Sequence, residues 1–328
     1  VDMQRAKKPT VTVIIPTFRR WQSLLITLRS FLELADPPDE MVVVDQTPRP
    51  ELRREELAQF DELRTTHAQT PVKYIRQREP HVYRARNRGG TEAKGEILVF
   101  TDDDMRPRPG CLSAYREAFA EPELVAAVGP AGDCPLCRRG VPDFAGVPAA
   151  QQVFALMTRD WANRVPHIAW THAGNMAIRR AVFCEIGGWE ELIQTRGDKE
   201  MGFRLHGMGK RIDWIPDAAM DQVEPPYGGS DFTDRRAPWN AYQRSVGMLY
   251  IGARYLDIAD FRNRWGFWRA SALVAARMTF LLKRHFFRPW TWPREIAGFG
   301  KAFLHAHVHA RITRANGPCK YVGDDQFT

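Results

Sequence analysis

Five β-branched residues in succession, Val11-Thr12-Val13-Ile14-Ile15, run into a proline, and similar apolar runs return three times before residue 102. Between them lie longer segments with helical spacing, such as Leu24, Leu25, Leu28, Phe31 and Leu32. The pattern predicts strands at Val11 to Ile15, Met41 to Asp45, Val72 to Ile75, Ile97 to Thr101 and Leu124 to Val128. It predicts helices at Trp21 to Leu34, Glu51 to His67, Tyr83 to Lys94 and Gly110 to Ala120. Runs so short and continuously apolar suit strands buried on both faces. The alternation therefore implies an α/β fold, with a mostly parallel sheet covered by helices on both sides.

In such sheets ligands bind beyond the carboxyl ends of the strands. Pro16-Thr17, Asp45-Gln46 and Asp102-Asp103-Asp104 each stand at such an end. Three consecutive aspartates repel one another unless something offsets their charge. A divalent cation does so, and hard carboxylate oxygens suit Mg²⁺ or Mn²⁺, which can also hold a diphosphate. The competing reading is a helix cap or a solvated turn, where Asp is also common. Arg84, Arg86 and Arg88, just upstream, add guanidinium groups suited to phosphate.

The formal charge of +8 favours anionic partners: nucleotide-sugars, lipid phosphates, membrane surfaces or nucleic acid. At 44% hydrophobic and 26% charged, the chain has a globular composition. Five cysteines do not make a disulfide framework, and Cys134-x-x-Cys137 has no second pair to complete a zinc site. The polar first residues and the absence of a long apolar run lead us to expect a cytoplasmic protein, free or peripheral at the inner membrane face.

Read in order, four segments form a recognisable set: Val-Thr-Val-Ile-Ile-Pro-Thr-Phe-Arg-Arg, Val-Val-Val-Asp, Ala-Arg-Asn-Arg-Gly and Gly-Glu-Ile-Leu-Val-Phe-Thr-Asp-Asp-Asp. Their order and spacing over residues 10 to 110 resemble the family 2 glycosyltransferases, with their GT-A fold. The resemblance implies that Pro16, Thr17 and Phe18 line the base pocket, that Asp45 bonds the base or ribose, and that Arg86 sits near the nucleotide. Asp102 and Asp103 would face the ribose and diphosphate, and Asp104 with Asp102 would hold the metal. Asp45-Gln46-Thr47-Pro48 departs from the usual acidic stretch after the second strand, which leaves the base open.

A second block, Ala-Gly-Asn-Met-Ala-Ile-Arg-Arg from Ala173, then Gly-Gly-Trp-Glu-Glu from Gly187 and Gly-Asp-Lys-Glu-Met-Gly-Phe-Arg from Gly197, looks like the family's acceptor side. By position the family's general base falls on Asp198, with Glu200 the second choice. Trp189 reads equally as a sugar platform or a core residue. No histidine follows between His206 and His285 to complete a metal site; Asp217, Asp221 and Glu224 occupy that region instead. The implied organisation is a nucleotide-sugar half at residues 1–130, an acceptor half at 131–230 and a helical C-terminal region at 231–328.

That last region is basic and aromatic. Between Phe261 and Tyr321 it carries twelve Lys and Arg against one acid, Glu295. Such a composition suits an anionic bilayer, on which a lipid-linked acceptor would be met, or a helical subdomain packed on the catalytic lobe. His305 and His309 share a helix face, with a surface cluster and a metal site both open. The acceptor is expected to be a saccharide or a lipid-linked sugar, with no specific nucleic acid bound. Three alternatives are a nucleotidyltransferase, an inactive scaffold and a nucleic-acid-binding protein. The absence of glycine after the first strand, the retained Asp102, Asp104 and Asp198, and the lack of a nucleic-acid motif disfavour them in turn.

Overall fold

A computed structural model describes residues 8–48, 54–132, 171–191, 193 and 196–223, together with isolated positions between 247 and 308. Two parallel units open the chain: β1 (Val11–Thr17), α1 (Trp21–Leu32), β2 (Glu40–Asp45), α2 (Arg54–Thr66) and β3 (Val72–Arg76). Next come α3 (Val82–Glu92), β4 (Ile97–Thr101), β5 (Met105–Pro107), α4 (Cys111–Ala118) and β6 (Leu124–Val128). The second block supplies β7 (Asn175–Arg179), α5 (Arg180–Glu185), α6 (Gly197–Gly207), β8 (Arg211–Trp214) and β9 (Met220–Gln222).

Seven strands form one sheet in the order β3-β2-β1-β4-β7-β6-β8, and β5 pairs with β9 apart from it. The sheet is parallel except at β7, which runs antiparallel to both β4 and β6. Its side chains divide between two cores, as the two-residue period of a strand requires. Ile14, Val42, Val44, Leu98 and Phe100 meet Tyr83 of α3, Phe183 of α5 and Met201 of α6. Val13, Ile15, Met41, Val43 and Val99 meet Leu24 and Phe31 of α1, Phe60 of α2 and Tyr115 of α4 on the other face. The α/β sheet with helices on both faces is thus the observed architecture.

Two departures from the sequence reading bear on the site. β1 continues through Pro16 to Thr17, because Pro16 pairs with Val44 of β2. The ladder to β4 has ended by Ile14, so the proline stands where β1 is paired on one side only, an edge that tolerates a missing N–H. β5 is an unforeseen strand of three residues, and its partner β9 lies over a hundred positions away.

β1 and β4 are neighbours, and the strands that follow them in the sheet lie on opposite sides, β2 beside β1 and β6 beyond β4. A crevice opens at the carboxyl ends of such a pair. Thr17 and the Asp102 loop stand there. Behind the acceptor side, α6 is held by a buried pair: Arg204 donates to Glu200 Oε2 (3.0 Å), to Ile186 O (2.7 Å) and to Gly188 O (2.6 Å). Taking the guanidinium from a buried carboxylate is costly, so Arg204→Met should lower stability by about 3–5 kcal/mol in urea denaturation. Adding Glu200→Leu should return part of that loss.

Candidate active site

The three aspartates after β4 point in different directions. Asp102 keeps 37% of its side chain exposed and accepts a hydrogen bond from Arg86 Nη2 at 2.6 Å. Asp103 turns into the protein, where Thr17 Oγ1 (2.7 Å) and Arg20 Nη1 (3.2 Å) donate to it. Asp104 is buried as well. Its Oδ2 accepts from Arg20 Nη1 (3.0 Å) and Gln222 Nε2 (3.4 Å), while Oδ1 is a buried acceptor without a hydrogen-bond partner.

Burial pushes the Asp103 carboxyl up to about 7, against the pull of Arg20 and Thr17. Burial also raises Asp104, and the charge of Asp102 raises it further. Arg20, the residue directly before α1, is therefore the cation that lets two adjacent carboxylates stay inside. The sequence reading included it as the last residue of its first motif but gave it no role. Gln222 was missed because it reaches Asp104 only through the β5–β9 pairing.

At the nucleotide side, the Thr17 hydroxyl is committed to Asp103, and Pro16 and Phe18 are buried at the end of β1. Asp45 is fully enclosed, accepting from Thr47 N–H (2.8 Å) and the Tyr74 hydroxyl (2.6 Å). Gln46 N–H donates to Thr17 O (3.0 Å), and Arg19 N–H donates to Thr47 Oγ1 (2.8 Å). These bonds tie the ends of β1 and β2 into one wall. Arg19 takes a left-handed φ of 59° there, with its guanidinium 4.9 Å from the centre of the Phe18 ring. The structure thus joins Thr17, Arg86 and the three aspartates directly, and Asp45 through the backbone.

On the acceptor side Asp198 lies in the first turn of α6, accepting from Lys199 N–H at 2.9 Å. Its backbone carbonyl accepts from the Thr171 hydroxyl. Glu200 points the other way and is fully buried against Arg204, which removes it from the crevice. Trp189 is a core residue rather than an exposed platform, stacked on Tyr83 with centroids 5.6 Å apart and planes 13° apart. Asp221 is occupied by Arg108 (2.6 Å), and Asp217 is exposed. Gly174 packs so close that a Cβ there would lie 3.0 Å from Asp102 Oδ2 and 3.0 Å from His172 Cε1. His172 Nδ1, another of the buried side-chain atoms without a hydrogen-bond partner, also escaped the sequence reading.

Among the described residues, no group of three or more His, Cys, Asp or Glu side chains is set to hold a metal. Two carboxylates suffice for Mg²⁺ when substrate phosphates and water supply the rest. Asp102, half open, and Asp104, with one unpartnered oxygen, fit that demand. Cys134, Cys137, Glu224, His307 and His309 lie outside the described residues, as does most of the basic aromatic segment. Of the C-terminal positions described, Tyr250 and Ala302 are buried in the core, Tyr250 donating to Glu190 Oε2 (2.8 Å). Ile296, Leu304 and Val308 are exposed.

This chain belongs to glycosyl transferase family 2, whose family model matches residues 12–187. It is a glycosyltransferase. It is 26% identical over 288 residues to the chondroitin synthase of Escherichia coli, which covers 77% of this chain and 41% of that protein. The chain thus spans about two fifths of that relative's length. The mannosyltransferase PcManGT from Pyrobaculum calidifontis, solved with GDP-Man and Mn²⁺, superposes with a TM-score of 0.53 at 20% identity. That match covers 93% of this chain and 88% of PcManGT. TarS 1–349 of S. aureus, solved with UDP-GlcNAc, gives a TM-score of 0.58 at 15% identity, covering 96% and 93% of the two chains. The shared fold is GT-A.

Asp103 makes the site sensitive to pH. Its folded value lies above its unfolded one, so the folded state keeps a proton that the unfolded chain releases above pH about 4. This contribution should be greatest below that pH, decline as pH rises from 3.8 to about 7, and level off above. In metal-free buffer, Asp103→Asn should flatten that part of the stability profile measured by urea melts. An unchanged slope would assign it to other groups.

Proposed function

We propose that this glycosyltransferase moves a sugar from a nucleoside diphosphate donor to an acceptor hydroxyl by direct displacement, inverting the anomeric centre with the help of a divalent metal. The observation that carries the reading is an open Asp102 and an under-satisfied Asp104 at the end of β4, with Asp198 at the start of α6 and both Asp102 and Asp198 near enough to Tyr83 for their charges to act on its hydroxyl. The nucleotide complexes of PcManGT and TarS support a nucleotide-sugar donor, and the Mn²⁺ of PcManGT supports a metal.

Each part then has a task. Pro16, Thr17, Phe18 and Asp45 form the wall for the base and ribose, and Arg86 holds Asp102 in place for the donor. Asp103 anchors the loop from inside through Thr17 and Arg20. Mg²⁺ or Mn²⁺ held by Asp102 and Asp104 would offset charge on the departing diphosphate. Asp198 takes the proton from the incoming hydroxyl, work that a carboxylate performs within hydrogen-bond reach. Residues up to about 130 supply the donor half and those to about 230 the acceptor half.

We assign the acceptor to the saccharides, free or lipid-linked, and the basic aromatic segment to the surface of an anionic membrane. No helix among the described residues is long and apolar enough to cross a bilayer. Peripheral attachment fits the excess of twelve basic residues over one acid and the exposed Ile296, Leu304 and Val308. The protein should float with anionic vesicles and stay behind with neutral ones; equal recovery from both would remove the membrane from the reading.

The donor site is tested by thermal shift against UDP-, GDP- and dTDP-sugars with and without Mn²⁺. One nucleotide class should stabilise the protein only with metal, and Asp104→Ala should abolish the effect. Asp198→Asn should keep the shift and lose turnover by a factor of roughly 10² to 10⁴. Stabilisation that ignores both metal and Asp104 would remove the metal from the mechanism. Full turnover in Asp198→Asn would remove the base.

A further inference from the structure

The helix α3 carries Tyr83, Arg86 and Asn87 at the spacing that puts three side chains on one face. Each reaches a different part of the site. Arg86 donates to Asp102 Oδ1 in the acidic loop. Asn87 brackets Trp189, donating to its carbonyl (2.9 Å) and accepting from its N–H (2.7 Å). Tyr83 Oη accepts the N–H of Gly197 at 2.7 Å. Gly197 is the first residue of α6, directly before Asp198.

A helix start leaves backbone N–H groups without intrahelical partners, and a side chain of the capping residue commonly accepts one. Here the capping residue is Arg196, which makes no side-chain cap bond. It also takes a left-handed φ of 65°, a conformation that non-glycine residues hold only where their surroundings enforce it. The Tyr83 hydroxyl supplies the missing acceptor from another helix, over a hundred positions earlier in the chain.

The fit is close on both sides. A Cβ on residue 197 would lie 2.5 to 2.9 Å from three atoms of the Tyr83 ring, so the approach requires glycine there. The ring itself is clamped by its stack on Trp189, with the Arg86 guanidinium 5.8 Å from its centre. Burial raises the Tyr83 hydroxyl above its ordinary value, and the charge of Asp198 raises it further, which keeps the phenol neutral.

We propose that Tyr83 is a positioning residue for the transfer reaction: it caps α6 from outside, fixes the turn bearing Asp198, and through Arg86 on the same helix ties that turn to the Asp102 loop. This rests on reading Asp198 as the base. The rigid face of α3 then sets the spacing between the donor and the group that activates the acceptor.

Tyr83→Phe keeps the stacked ring and removes only the acceptor oxygen. Hydrogen exchange on the full chain needs no substrate: the amides of residues 197–199 should exchange about ten-fold faster, while those of β1 and β4 stay unchanged. With the donor that stabilises the wild-type protein, Mn²⁺-dependent release of the nucleoside diphosphate should fall roughly ten- to a hundred-fold in kcat. Donor KM and the thermal shift on donor binding should stay as in the wild type, a split that general loss of packing would not produce. Gly197→Ala, which displaces the same N–H from the other side, should repeat the pattern and serves if the phenylalanine variant folds poorly. Unchanged exchange at 197–199, or wild-type kcat in Tyr83→Phe, overturns the proposal. If Asp198→Asn is inactive while Tyr83→Phe is fully active, only the positioning role falls. If Asp198→Asn is itself active, the base assignment falls.

Discussion

Two carboxylates of the Asp102–Asp104 loop are buried side by side, and the rest of the site depends on how their charge is met. A buried carboxylate is tolerable only when paired and hydrogen-bonded. Arg20 bridges Asp103 and Asp104, Thr17 bonds Asp103 from β1, and Arg86 bonds Asp102. The charges are thereby sorted. Asp103 belongs to the interior, Asp102 to the crevice, and Asp104 offers one free oxygen between them. The chemistry of the loop follows from this separation, because identical side chains in different surroundings acquire different roles.

The scaffold that permits it is a sheet in which β1 and β4 are neighbours. Their carboxyl ends put Thr17 beside the acidic loop, and α1 begins directly after with Arg20 in reach. On the far side, antiparallel β7 lies along β4 and pairs Asn175 with Thr101. That contact brings the acceptor block against the donor block. Gly174 closes on Asp102, and Tyr83 of α3 accepts from the first residue of α6. The helix α3 is the common support, bonded by three side chains to the acidic loop, the Trp189 turn and the first turn of α6.

Much of this was legible in the residues. The β-branched runs, the apolar faces of α1 and α3, and the polar clusters at strand ends all follow from local patterning, which a chain cannot disguise. Boundaries slipped where a tertiary partner decided them, as at Pro16, which remains in β1 because β2 pairs with it. Glu200 and Trp189 were ambiguous for a related reason. A carboxylate or an indole in a loop-rich block reads the same whether it faces solvent or core, and only packing against Arg204 and Tyr83 resolved them.

What the sequence determined by itself was the class of fold, the order of its elements and the chemistry collected at one edge, since all three rest on short-range periodicity and residue type. What the tertiary structure alone decided was which partner each of those groups received. Arg20 meeting Asp104, Gln222 reaching the same carboxylate across β5 and β9, and Tyr83 capping α6 all join residues far apart in the chain. Such pairings depend on how strands stack in register and how helices cross them, and neither leaves a mark within a few residues of sequence.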